Sequence, residues 1–252
     1  MDRTELIYQY LLHLADNSLI LGQRNAEWCG HGPVLEQDIA ITNISLDLFG
    51  EARNLFQYAA ELKGGSATED SIAFLRDELK YKNLLLLEQP NVDWAHTIVR
   101  QFFFDVFHVY VLTELQQSTE TKLVEIASKS IKEAKYHLKW SSEWMIRLGD
   151  GTQISHDKMQ EALNNLWEYT GEFFMPTDTE IQIAEHKIGP SLKDIQPKWM
   201  DKVEEIIGIA TLKLPDSSFS QKGGKNGYHS EHLGYLLAEM QYLQRAFPGA
   251  NW

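Results

Sequence analysis

Hydrophobic side chains recur every three or four residues along most of this chain, with polar side chains between them. This period is that of an amphipathic α-helix, and the strict alternation that marks a half-buried β-strand is not found. The pattern predicts helices at 4–27, 35–62, 68–88, 94–117, 120–148, 156–174, 195–212 and 230–246, a less regular segment at 177–190 and a loop at 215–229.

Long helices are favoured because residues 34–89 and 91–175 contain no proline. The predicted helix at 35–62 would be about 40 Å long, and the one at 120–148 is similar. Long helices joined by short loops are typical of an up-down bundle. We therefore expect an all-α chain in which residues 1–252 form a single domain, a four-helix bundle with additional helices.

Composition and charge narrow the classes of partner. The formal charge of −13 disfavours binding to nucleic acid or to an anionic membrane, and the sequence lacks the long apolar run of a membrane span. Cys29 is the single cysteine, so no internal disulfide can form and a reducing cytoplasm is expected. The N-terminus has acids within its apolar stretch and is not expected to be a signal peptide.

Three polar residues fall on or beside apolar stripes, where a bundle would hold its chemistry. They are Glu51 on the second predicted helix, Asp105 on the fourth and His137 on the fifth. Buried charges are costly and are usually paired or bound to metal. We expect these residues to form a hydrogen-bonded or ionic cluster, the alternative being that each lies at the edge of its stripe and reaches solvent.

A di-iron site in such a bundle takes Glu-x-x-His pairs from two helices, and the sequence contains none. The acidic pairs that do occur with histidine are Asp93/His96, Asp105/His108, Glu27/His31 and Glu133/His137. Asp93 is better explained as a helix N-cap, and Asp105/His108 could hold a metal only if it faces inward. The two pairs at a spacing of four arise often by chance on helices. The standard di-iron constellation is therefore absent.

Several long segments resemble a known family: AEWCGHGP at 26–33, LDLFGEARN at 46–54, KEAKYHL at 132–138, and GGK, EHLG and AEMQYLQR between 223 and 245. In these segments, which span nearly the whole chain, the sequence resembles the C subunits of the multicomponent 1,2-phenylacetyl-CoA epoxidases of bacterial phenylacetate catabolism. The resemblance implies a ferritin-like fold. It also implies a related catalytic subunit that holds di-iron, beside which this chain is a degenerate partner.

The resemblance assigns six positions of this chain to the metal ligands of the catalytic relative. These six ligand positions are Leu19, Leu48, Glu51, Asp105, Ala134 and His137. Leu48 stands for a glutamate, Glu51 for a histidine and Ala134 for a ligand in the later motif, while Asp105 and His137 keep ligand types. Leu19 falls near the first-helix glutamate. Three of the six positions are thus apolar.

The resemblance further implies a non-catalytic, structural subunit that binds no cofactor itself and stabilises the di-iron subunit of the same fold. The complex would include a small bridging subunit and an iron–sulfur flavoprotein reductase, and would convert phenylacetyl-CoA to its ring epoxide with O2 and NADPH. The chain alone could also pair with itself.

Two other functions stay open at this point. Glu51, Asp105 and His137 could hold one iron or manganese ion in an altered metalloenzyme site. The glycine-rich loop with Lys222 and Lys225 could bind the phosphates of coenzyme A, although a surface connector is the simpler interpretation. His229 and His232, with Glu231 between them, suggest zinc only weakly, because no further ligands lie nearby in the sequence, and helix-start capping and surface contacts explain them better.

Overall fold

The computed structural model describes residues 1–250, and every regular element within them is helical. The α-helices are α1 Arg3–Ala26, α2 Leu35–Lys63, α3 Glu69–Phe74, α4 Trp94–Leu115, α5 Thr121–Gly149, α6 Gln153–Leu166, α7 Asp178–Glu185, α8 Leu192–Ile209 and α9 Glu231–Ala246. The predicted all-α class is confirmed, and α1, α2, α4, α5 and α9 agree with the predicted helices to within two residues. No helix in this part of the chain has the length and apolar character needed to cross a membrane.

The chain forms two compact units, one comprising residues 1–90 with the described part of 223–252, the other residues 91–222. Each unit contains one pair of long helices joined by a short loop, α1 with α2 and α4 with α5. Packed long helices with so short a connection run antiparallel. Each unit therefore contains one antiparallel pair of long helices. The expectation that residues 1–252 form a single domain stays a prediction.

In the first unit, α1 and α2 pack closely where α1 carries a glycine. A Cβ on Gly22 would lie 2.8 Å from the ring of Phe49 and 3.3 Å from Cβ of Leu48. The missing side chain lets the two backbones approach, at the modest cost that glycine brings to a helix. Gly64, with φ of 69°, ends α2 in a conformation that favours glycine.

The helix predicted at 68–88 is wrong. A capping box between Thr68 and Ser71 starts α3, which ends at Phe74, and only short 3-10 turns follow. The side chains of Asp16 and Asn17 accept hydrogen bonds from the backbone N–H groups of Lys82 and Leu84, at 2.8 and 2.9 Å. Because these buried acceptors on α1 satisfy the backbone, the segment is held without helical hydrogen bonds.

In the second unit, the helix predicted at 156–174 is shorter than expected. It begins at Gln153 and ends at Leu166, and two 3-10 turns, Trp167–Tyr169 and Gly171–Phe174, replace its last part. The rings of Trp167 and Phe174 pack on Trp199, with centroids 6.1 and 5.4 Å apart. Burial of these aromatic side chains against α8 outweighs the continuation of a regular helix.

The segment predicted to be irregular at 177–190 contains α7. Thr177 and Glu180 form a capping box in which each side chain accepts the other's backbone N–H, at 3.2 and 2.8 Å. Ile183 is buried on the inner side of this helix. The next helix, predicted at 195–212, begins earlier, at Leu192, because Leu192 already belongs to its buried stripe.

Candidate functional site

Two of the six ligand positions lie in the first unit as buried leucines. Leu19 on α1 and Leu48 on α2 expose 6 and 1% of their surface. Glu51, one turn after Leu48, is also buried, and its Oε1 accepts a hydrogen bond of 2.8 Å from the hydroxyl of Ser18. The helix pair therefore places one carboxylate beside alkyl side chains and gives it a neutral donor.

Three further ligand positions lie buried in the second unit. Asp105 on α4 accepts hydrogen bonds of 2.7 Å from the side chains of Gln101 and Ser141. Burial raises the pKa of Asp105 to about 6, although the nearby His137 and these donors favour the ionised form. Ala134 and His137 on α5 are 1 and 2% exposed. Asp105 and His137 are thus brought close enough to interact electrostatically, and the expected cluster of both with Glu51 stays a prediction.

The acid–histidine pairs considered as metal ligands in the sequence are not gathered into one site. Among residues 1–250, no group of three or more His, Cys, Asp or Glu side chains is arranged to hold a metal ion. Asp93 caps α4 by accepting the backbone N–H of His96 at 3.0 Å and also contacts its Nδ1 at 2.8 Å. Burial raises the pKa of Asp93, but the hydrogen bonds from His96 outweigh it and lower the pKa overall. The expected cap is therefore present.

Glu27, His31 and His108 belong to two of the other three pairs and contact residues of their own helix or turn. Glu27 forms an ion pair with Arg24 at 2.8 Å, and Nδ1 of His31 contacts the carbonyl oxygen of Cys29 at 3.1 Å. His108 is buried and stacks on Phe104, with ring centroids 5.0 Å apart. These contacts account for Glu27, His31 and His108 without a ligand.

A buried ion pair between Glu88 and His229 is a feature that the sequence analysis missed. Nδ1 of His229 lies 2.8 Å from Oε2 of Glu88, and its Nε2 lies 3.0 Å from the carbonyl oxygen of Tyr81. Since both ring nitrogens face acceptors, the imidazole is protonated and donates twice. Asn83 and the backbone N–H of Ser230 donate to the same carboxylate at 2.9 and 2.6 Å.

Desolvation alone would lower the pKa of His229, but the hydrogen bond and charge of Glu88 raise it. The contact joins residues 141 positions apart, so no local motif announces it. The only signal was His229 itself, which the sequence analysis explained by capping or, weakly, by zinc.

The glycine-rich loop before α9 packs on its own unit. A Cβ on Gly224 would lie 2.3 Å from the carbonyl oxygen of Asn83, and one on Gly227 would lie 2.2 Å from that of Leu79. Gly227 also has φ of 84°. Lys225 is buried, whereas Lys222 is exposed. Close backbone approach therefore explains these glycines without a bound phosphate, and the coenzyme A site stays a prediction.

Comparison with known proteins agrees with the resemblance drawn from the sequence. Residues 1–252 match the family described as phenylacetic acid catabolic protein. The chain is 49% identical over 243 residues to the C subunit of the 1,2-phenylacetyl-CoA epoxidase of Escherichia coli strain K12, and the match covers 96% of this chain and 98% of that relative. It is 22% identical over 231 residues to the A subunit of the epoxidase from the same organism, covering 88% of this chain and 73% of that relative.

The match extends along nearly all of both C-type chains, and the all-helical architecture agrees with the ferritin-like fold that the resemblance implied. The resemblance inferred from the sequence segments is thereby confirmed. This chain belongs to the family of phenylacetic acid catabolic proteins.

Proposed function

We propose that this chain is a non-catalytic, structural subunit of a 1,2-phenylacetyl-CoA epoxidase and stabilises a di-iron catalytic subunit of related fold. One observation carries the proposal: Leu19, Leu48 and Ala134 occupy three of the six ligand positions, and all three are buried. Alkyl side chains have no lone pairs to give a metal ion. The residues present therefore do not fit a di-iron centre, which requires several carboxylates.

The carboxylates that remain are satisfied by neutral donors within their own units. Ser18 donates to Glu51, while Gln101 and Ser141 donate to Asp105. These hydrogen bonds use lone pairs that a bridging carboxylate would give to metal. Leu19 and Leu48 contribute apolar burial, about 1.5–3 kcal/mol each, where the relative would hold iron. The positions thus support stability instead of oxygen activation.

The proposed assembly follows from the names of the relatives, which are the A and C subunits of one epoxidase. We assign this chain the C-type role beside a di-iron A-type chain in a heterodimer or larger complex. A small bridging subunit and an iron–sulfur flavoprotein reductase would complete the system in the cytoplasm. The complex, not this chain alone, would epoxidise the ring of phenylacetyl-CoA.

An apolar face on α2 supports a protein partner. Leu35, Ile39 and Leu46 project from one side of the helix, at spacings of four and seven residues, and are 72, 52 and 60% exposed. Exposed apolar side chains grouped in this way mark interaction surfaces more often than isolated ones do. We name this group the α2 face and assign it to contact with another subunit.

Iron counting on separated and co-purified chains tests the proposal. We expect iron to accompany the catalytic subunit and this chain purified alone to contain less than one equivalent. Stoichiometric iron in the isolated chain, lost on Asp105→Ala, would contradict the proposal and support the mononuclear alternative.

A matched pair of variants tests the catalytic role directly. Asp105→Asn in this chain should leave the epoxidation rate of the purified complex unchanged, whereas the same change at the ligand aspartate of the catalytic subunit should abolish it. An equal loss of rate from both variants, with both complexes intact by gel filtration, would assign chemistry to this chain.

A further inference from the structure

A cavity of about 320 Å³ opens in the first unit between α1, α2, α3 and α9. Its walls are mainly apolar, formed by Leu19, Phe49, Phe56, Phe74 and Met240 among others. A space of this size with apolar walls and few polar groups is typical of small-molecule sites.

Three charged side chains line the cavity beside its apolar wall. The exposed Arg53 lies 3.7 Å from the carboxylate of Glu69, which also accepts a hydrogen bond of 3.1 Å from Gln57. Asp70 is exposed and has the same sign as Glu69. Because Arg53 is shared with Glu69 and the acids outnumber it, an entering anion would meet net negative charge.

The walls also constrain the shape of a ligand. Phe49 and Phe74 line the cavity from two different helices, α2 and α3. Aromatic rings pack well against such surfaces in offset or edge-to-face arrangements. An apolar protein cavity of about 150 Å³ is already large enough for benzene. A single substituted ring therefore matches both the size and the walls of this cavity.

We propose that the cavity between α1, α2, α3 and α9 binds one small, uncharged aromatic molecule. The proposal does not depend on the epoxidase assignment, because no reaction is required there and Leu19, the one ligand position that lines the cavity, serves only as an apolar wall. An anion such as a thioester of coenzyme A is disfavoured as the ligand, because the acids Glu69 and Asp70 outnumber Arg53 at the cavity.

Binding of toluene to the full-length chain tests the proposal. Saturation-transfer NMR and calorimetry should detect one bound toluene per chain. Met240→Trp and Ala73→Leu each add volume to the wall and should weaken binding at least about tenfold, equivalent to about 1.4 kcal/mol. Met175→Trp is the matched control, because Met175 is half-exposed in the second unit and does not line the cavity; it should leave binding unchanged.

Further measurements distinguish an uncharged aromatic ligand from an anionic ligand and from a protein partner. Benzoate should bind at least about tenfold more weakly than toluene, because its carboxylate would be desolvated near two acids. Toluene should bind equally well when the catalytic subunit is present. Absence of toluene binding, unchanged binding in both cavity variants, displacement by phenylacetyl-CoA, or loss of binding in the complex would each overturn the proposal; the last would show that a partner covers the cavity.

Discussion

At the scale of single residues, three buried acids of the described chain are bonded to partners in their own unit. Asp16 pairs with Arg76, Glu88 pairs with His229, and Asp105 accepts from Ser141. A buried charge that loses its partner costs several kcal/mol, whereas the intact pair contributes little over an apolar equivalent. Single substitutions at these sites should therefore have large and pH-dependent effects.

Ser141→Ala should destabilise the chain by about 1.5–3 kcal/mol at pH 8, because the ionised Asp105 loses a donor. The loss should be smaller at pH 5, below the pKa of about 6, where Asp105 is mostly protonated. Urea unfolding at both pH values measures the difference. Ser142→Ala is the control, since its buried hydroxyl has no hydrogen-bond partner among residues 1–250; a similar pH-dependent loss there would contradict the assignment.

Glu88→Gln should lower the free energy of unfolding by about 3–5 kcal/mol near pH 6, because it leaves the His229 imidazolium buried without its carboxylate. The pKa of His229 is raised above its unfolded value of about 6.5, so the folded chain retains a proton that the unfolded chain releases. Stability from the pair is therefore complete below about pH 6.5 and is lost as the pH rises through the folded pKa.

Urea denaturation between pH 6 and 9 tests whether the stability from the Glu88–His229 pair falls as the pH rises. The difference between wild type and Glu88→Gln should shrink as the pH rises. Glu239→Gln, on the exposed side of α9, should change stability by less than about 0.5 kcal/mol at every pH. A difference that stays constant from pH 6 to 9 would show that His229 is neutral in the folded chain.

At the scale of elements, the long helices follow the apolar period, while the connecting segments depend on contacts with distant residues. The segment after α3 is held by side chains of α1, and the glycine-rich loop lies against the backbone at Leu79 and Asn83. Helix propensity cannot report such contacts, because they form only after α1 and α9 have packed.

Gly227→Ala should destabilise the chain by about 2–4 kcal/mol, because the new Cβ meets the Leu79 carbonyl oxygen and φ is positive. Gly50→Ala is the control, since Gly50 lies within α2 with open space around a Cβ and normal helical φ. It should stabilise the chain by about 0.5–1 kcal/mol. Thermal unfolding of both variants measures the contrast, and equal effects would show that the loop is not packed as described.

At the scale of the whole molecule, the proposed role rests on contact with other chains. The relatives are named as epoxidase subunits, and the α2 face and the apolar ligand positions are the features of this chain on which the proposed structural role depends. Interfaces derive most of their affinity from a few apolar side chains that become fully desolvated. A substitution on the α2 face should therefore weaken association with the partner subunit without lowering the stability of this chain.

Leu46→Asp should weaken association with the catalytic subunit at least about tenfold, about 1.4 kcal/mol, because it places a charge on the α2 face. Its effect on the free energy of unfolding should stay below about 0.5 kcal/mol, since Leu46 is exposed. Ile154→Asp, at a 73% exposed position of α6, is the matched control and should leave association intact. Equal affinities of both variants by calorimetry would remove the α2 face from the interface.

The sequence by itself determined the helical class, the five long or terminal helices and the family. These helices are predicted by local properties of the sequence: the helical period, the absence of proline and the caps. The fold retains them because an amphipathic helix can pack its apolar stripe against any apolar neighbour. Leu19, Leu48 and Ala134 each lie on such a stripe and are buried in the folded chain. The Thr177–Glu180 capping box was equally local and could have revealed α7.

Only the tertiary structure decided which polar residues meet. Glu88 and His229 lie far apart in sequence, and the end of the helix predicted at 68–88 depends on acceptors supplied by Asp16 and Asn17. The cavity at Leu19 likewise needs walls from four helices. Which buried polar residues pair depends on the cost of removing them from water and on the contacts they gain with residues distant in the sequence. The spacing of apolar residues along the chain contains no information about either.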